Sequence, residues 1–73
     1  MNELPLKKTA EWAIDRAREF IESKGGYSFV QLEKVRSDEK KGLWKVTFNI
    51  SIFLKELRTV TVRDEDGVVV GFK

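Results

Sequence analysis

Between Leu43 and Phe53 the chain alternates without a break. Trp44, Val46, Phe48, Ile50 and Ile52 fall on one parity, and Lys45, Thr47, Asn49 and Ser51 on the other. Successive strand side chains point to opposite faces, so this pattern predicts a strand with one face on a core and one toward water. Such a strand belongs in an antiparallel sheet covered on one side only. The rest of the chain must therefore supply the cover and the neighbouring strands. The cover is legible in the first third. Ala10, Ala13, Ile14, Ala17, Phe20 and Ile21 recur at spacings of three and four, the apolar stripe of a helix. Lys7, Glu11, Asp15, Arg18 and Glu22 fall largely on its other side. Asn2 is the expected N-cap, with Pro5 in the first turn, where its missing N–H costs nothing. Gly25-Gly26 is the expected stop, and Lys24 complements the negative end of the helix dipole.

After the glycines the period changes from 3.6 to 2, and four strands are expected. The first spans about 27–36. Its apolar residues Phe29, Val30, Leu32 and Val35 occupy both parities, which points to a bulge or an edge position. The second spans 43–53. The third spans 57–64, with Val60 and Val62 inward and Thr59, Thr61 and Arg63 outward. The last hairpin turns at Glu65-Asp66-Gly67. A three-residue loop pairs Val62 with Val70 and Val60 with Phe72, and needs a left-handed residue, which Gly67 supplies. The fold class that follows is α+β. One N-terminal helix packs on a four-stranded antiparallel meander (α-β-β-β-β), as a single domain over residues 1–73.

The residue types exclude much chemistry. There is no cysteine and no histidine, so disulfides, thiolate chemistry, Cys- or His-ligated metals and imidazole bases are all ruled out. Two acidic clusters, Asp38-Glu39 and Asp64-Glu65-Asp66, lie in expected loops and are read as turn chemistry and solvation. The second lacks the ligand spacing of a calcium loop. Ser51 and Thr47 share the wet face with Lys45 but have no imidazole to activate them, and they suit an exposed strand. Lys24-Gly25-Gly26 follows a helix, whereas phosphate-binding glycines precede one. No cofactor, metal site or enzymatic activity is expected; a carboxylate-based enzyme is the remote alternative.

Binding is the remaining class. The net charge is +2, with the signs interleaved as in Asp15-Arg16-Ala17-Arg18-Glu19, which reads as a solvated surface. Trp12, with Arg16 one turn on, is either a boundary residue under a loop or an interface anchor. The open sheet face offers Lys45, Thr47, Asn49, Thr61 and Arg63. A nucleic-acid partner is the first alternative, drawing on Lys45, Arg63 and Lys73 with Tyr27 or Phe29 for stacking. A protein partner, or a homodimer formed through an unpaired strand edge, is the leading expectation. Lys45 and Lys55 flank the run 46–54 as gatekeepers. The longest apolar stretch, Ile52-Phe53-Leu54, is too short to span a bilayer and no signal segment is visible, so a cytoplasmic protein without a membrane partner is expected. Abundant Lys and Glu with no Cys gives a thermophile-like composition.

A family resemblance can be added. A helix ending in glycine, then Trp44-Lys45-Val46-Thr47-Phe48, then Val60-Thr61-Val62-Arg63-Asp64-Glu65-Asp66-Gly67-Val68-Val69, resembles PepSY-type modules over about residues 10–73. Those modules end in a hairpin of the form Val-x-Val-Asp, turn, Gly-x-Val. The resemblance implies a cystatin-like helix-on-sheet fold and a binding or inhibitory role. It assigns no functional residue: Gln31-Leu32-Glu33-Lys34-Val35 does not carry the Gln-x-Val-x-Gly pattern of the cystatin inhibitory loop.

Overall fold

A computed structural model describes residues 7–24 and 26–73. One helix, α1 (Ala10–Ser23), is followed by strands β1 (Gln31–Asp38), β2 (Leu43–Asn49), β3 (Leu57–Arg63) and β4 (Val69–Phe72). The strands form one antiparallel sheet in the order β1-β2-β3-β4, the expected meander. The helix lies on one face of it, chiefly against β3 and β2.

The core is what the two periodicities dictate. Ala13, Ala17 and Ile21 of α1 meet Trp44, Val46 and Phe48 of β2 and Val60 and Val62 of β3, all buried. The alanines let the helix approach closely, and Phe20 packs edge-on against Phe72, with ring centroids 5.5 Å apart. β1 carries the expected irregularity as a register shift between Leu32 and Lys34, which leaves Glu33 as the extra residue.

Four expectations need correction. The helix starts at Ala10, capped by Thr9, whose hydroxyl accepts the Trp12 amide at 3.2 Å. Asn2 and Pro5 lie outside the described residues, as does Gly25. The helix does end at the expected place, with Lys24 as C-cap. β1 begins at Gln31 rather than near Tyr27.

β2 stops at Asn49, four residues short of the expected end. The Asn49 carboxamide oxygen accepts the amides of Ser51 (3.2 Å) and Glu56 (3.0 Å), which bends the chain out of the sheet. Ile50 still packs at the core margin, but Ile52 is exposed.

The last hairpin is wider than expected. Val60 pairs with Phe72 as anticipated, but Val62 pairs with Val69, and Val70 is the extra residue of a bulge. The loop holds four residues, 64–67, closed by Gly67 N–H to Arg63 O (2.8 Å) and Arg63 N–H to Val68 O (2.9 Å). The reason is Asp64. Its amide is committed to Gly42 O (2.8 Å) and its side chain turns inward, so it cannot pair with Val68. Gly67 adopts the expected left-handed conformation at φ 75°.

Candidate interaction surfaces

Asp64 is a buried carboxylate whose side chain accepts three hydrogen bonds. Its carboxylate accepts the Trp44 indole N–H at 2.9 Å and the main-chain amides of Lys7 (2.8 Å) and Lys8 (3.0 Å). Desolvation pushes its pKa up, but the Trp44 N–H and the two amides outweigh it, so the group stays below the ordinary carboxylate range. Reading this residue as turn solvation is therefore corrected. Asp64 ties the segment before α1 to the end of β3, and Trp44 buries its polar atom only because Asp64 receives it. At the tip of the same turn, Asp66 bonds the Arg63 guanidinium twice, at 3.0 Å each, and accepts the Val68 amide at 3.1 Å. The Arg63 contact and the Val68 amide hold Asp66 low, and the same contact raises Arg63. Both carboxyl shifts run opposite to what a general acid at neutral pH needs.

The expected site residues divide sharply. Trp12 is half-buried at the core margin, with the Lys8 ammonium 5.5 Å from its ring centroid. Gly67 sits against both Trp12 and Arg16, and Arg16 donates to Gly67 O at 3.3 Å. Both residues thus seat the last hairpin on the helix. Thr47 is covered, its hydroxyl 2.9 Å from that of Thr59. Asn49 ends β2, Thr61 packs against Gly71, and Arg63 is held by Asp66. Of the expected set, Lys45 alone is exposed with no hydrogen bond or ion pair among the described residues.

Register shows what joins Lys45. Residues directly opposite in an antiparallel pair share a face. Arg36, Lys45, Thr61 and Gly71 therefore make one row on the open side, and Lys34, Thr47, Thr59 and Lys73 the next. Lys34, Arg36, Lys45 and Lys73 are exposed, and none is in an ion pair among the described residues. Arg36 and Lys45 are direct cross-strand partners, an arrangement of like charges that costs stability. They line an open cleft of about 490 Å³ with Ser37, Asp38, Glu39 and Lys40.

The outer face of α1 carries acids. Glu11, Asp15, Glu19 and Glu22 are exposed there. Arg16, itself exposed, donates to Gly67 O and also pairs with Glu19 at 3.4 Å, and Arg18 lies 5.5 Å above the Phe48 ring, so cations flank these acids. Folding thus gathers on the open face cations that the linear sequence interleaves with acids.

A second surface was not expected. Ile52, Phe53 and Leu54 are 67, 91 and 74% exposed at the turn between β2 and β3. The turn is built rather than loose. Besides the two Asn49 bonds, Ser51 Oγ accepts the Leu54 amide at 3.1 Å, and Ile50 N–H donates to Glu56 O at 2.9 Å. Leu57, 40% exposed on the open face, continues the apolar surface into the sheet.

No helix is long and apolar enough to cross a membrane, and no metal-holding cluster of acidic residues occurs among the described residues. Fold and surfaces together define a small helix-on-sheet α+β domain with a cationic open face. Compared with protein-family models, curated proteins and solved structures, the chain matches none.

Proposed function

We propose that the chain is a small non-enzymatic binding module whose open sheet face takes a polyanionic partner. The observation that carries this reading is the direct opposition of Arg36 and Lys45, flanked by Lys34 and Lys73, with no carboxylate paired to any of them among the described residues. Like charges placed opposite one another destabilise a sheet, and an anionic ligand would relieve that repulsion. The PepSY-type resemblance, which implies binding rather than catalysis, agrees with it. No aromatic residue stands in the two cationic rows, so recognition would be through charge rather than base stacking.

The test is titration of the whole chain with duplex DNA, single-stranded DNA and polyglutamate over a range of salt. Binding should weaken steeply with salt, with a log–log slope of about −2 to −4 for three or four neutralised phosphates on DNA. Arg36→Glu with Lys45→Glu should abolish it while circular dichroism stays unchanged. Absence of binding to all three probes at low salt would reject the reading.

Self-association is the second reading, and one observation directs it to a strand edge. Two copies cannot stack open face to open face without juxtaposing their cations. The β1 edge carries Glu33, Lys34, Arg36 and Asp38 and a bulge, whereas 68–72 on the β4 side carries no charge and exposes Val68 and Val70. Light scattering that returns a mass near 8.5 kDa at high concentration rejects this second reading.

A further inference from the structure

The turn between β2 and β3 presents three consecutive large apolar side chains on a scaffold of four hydrogen bonds. A strand that kept its alternation would have buried Ile52. Instead Asn49 diverts the chain and Ser51 fixes the turn, so the exposure is specified by the sequence. Surface departures of this kind from an otherwise consistent pattern concentrate at functional sites.

We propose that this knuckle inserts into an anionic lipid surface, with the first cationic row of the open face at the headgroups and the second row in their electrostatic field just behind. The proposal rests on the polyanion-binding reading of that face and names the polyanion. Three features favour a bilayer over a second protein. Phe53 is 91% exposed, so the knuckle projects from the surface, and three side chains fall short of the roughly 800 Å² per partner of a stable protein interface. A bilayer needs no complementary pocket. The charges also fall at a suitable depth. Lys34 and Lys73 belong to the Thr47–Thr59 row, two residues back from Asn49 and Leu57, and Arg36 and Lys45 to the row behind it. At about 3.4 Å per residue these rows begin about 7 and 14 Å behind the base of the turn. Apolar side chains that penetrate roughly 5–10 Å would bring the first row to the headgroups. Lys55, next to the knuckle and 68% exposed, is already matched by Glu33 at 3.6 Å, so the attraction to headgroups falls to the cations of the open face, which are unpaired among the described residues. Leu57 gives apolar continuity between the two regions.

The experiment is flotation of the full chain with vesicles of phosphatidylcholine alone and with a quarter phosphatidylglycerol. Phe53→Glu, Arg36→Glu/Lys45→Glu and the unchanged protein are compared, with polyglutamate and DNA binding measured in parallel. The unchanged protein should float with the anionic vesicles and not with the neutral ones. Phe53→Glu should lose about tenfold or more in vesicle binding, the weight of one buried aromatic side chain, and keep its affinity for soluble polyanions. Arg36→Glu/Lys45→Glu should lose both. Phe53 packs on nothing that folding needs, so the variant keeps its fold, which circular dichroism checks. Soluble-polyanion binding without vesicle binding overturns this proposal and leaves the open-face reading standing. Vesicle binding unaffected by Phe53→Glu also overturns it. A doubled mass in light scattering that Phe53→Glu abolishes assigns the knuckle to a second copy and overturns it too. Absence of binding to every probe rejects both readings together.

Discussion

Replacing Asp64 by alanine tests whether one buried carboxylate holds the two ends of the chain together. The mutation removes three hydrogen bonds at once, from the Trp44 indole and from the amides of Lys7 and Lys8. The Trp44 N–H is left in a buried site without an acceptor, at a cost of about 1–3 kcal/mol. The two amides are only partly buried and can turn to water, so their loss adds less, about 0.5–1 kcal/mol between them. Together the cost is about 2–4 kcal/mol. A chain of 73 residues has about 4–11 kcal/mol of total stability at the usual 0.05–0.15 kcal/mol per residue, so this is a large fraction. At about 4–8 °C per kcal/mol the melting temperature should fall by roughly 10–30 °C. Asp64→Asn keeps an acceptor for the indole but loses the charge, and should cost about half as much.

The pH dependence has a definite sign. The native Asp64 pKa lies below its unfolded value, so the unfolded chain takes up the proton first on acidification. The stabilisation is complete above the unfolded pKa and disappears as pH falls through the native one. The gap between wild type and Asp64→Asn should therefore be full at neutral pH, shrink below about pH 4 and close in stronger acid. The assay is urea unfolding followed by tryptophan fluorescence and circular dichroism across that range. An Asp64→Ala variant within about 0.5 kcal/mol of wild type at neutral pH would refute the reasoning. So would a gap between wild type and Asp64→Asn that does not move with pH.

Other substitutions separate the remaining contributions. Gly67→Ala meets Arg16 Nε at 3.0 Å and Trp12 at 3.1 Å and must hold a left-handed backbone. Gly42→Ala has the same backbone demand at φ 66° but open space around it. Thermal unfolding should show the Gly42 change costing about 1 kcal/mol and the Gly67 change clearly more. Thr9→Ala removes the acceptor of the Trp12 amide and should cost about 0.5–2 kcal/mol, read from the urea midpoint. Arg36→Thr should stabilise the fold by about 0.2–1 kcal/mol at low salt, by removing the like-charge pair with Lys45, and the gain should fade as salt is added.

The elements legible in the sequence are those written in local periodicity. The Ala13–Ala17–Ile21 stripe, the Trp44–Val46–Phe48 alternation, the β1 bulge and the need for Gly67 each follow from residues close together in the chain. What escaped notice depends on side chains bonding to distant backbone. Asp64, Glu65 and Asp66 look alike in a glycine turn; only the placing of Trp44 opposite Val62, next to the end of β3, singles out Asp64. Ile52 continues the alternation of β2, so the strand seemed to run on. The Asn49 carboxamide ends it through Glu56, seven residues away. The cationic rows were hidden because the signs interleave along the chain. The expected strands, 27–36 and 43–53, set Arg36 opposite Leu43, whereas β1 runs on to Asp38, which takes that place and sets Arg36 opposite Lys45.

The cationic open face has a consequence for how the molecule travels. Its net charge of +2 suggests weak electrostatics. The cations of the open face, unpaired among the described residues, nevertheless give that side a local positive field stronger than the net charge implies. Near an anionic wall that side should face the surface before contact. Near neutral pH a cation-exchange resin should accordingly hold it, and Arg36→Glu/Lys45→Glu should elute at lower salt.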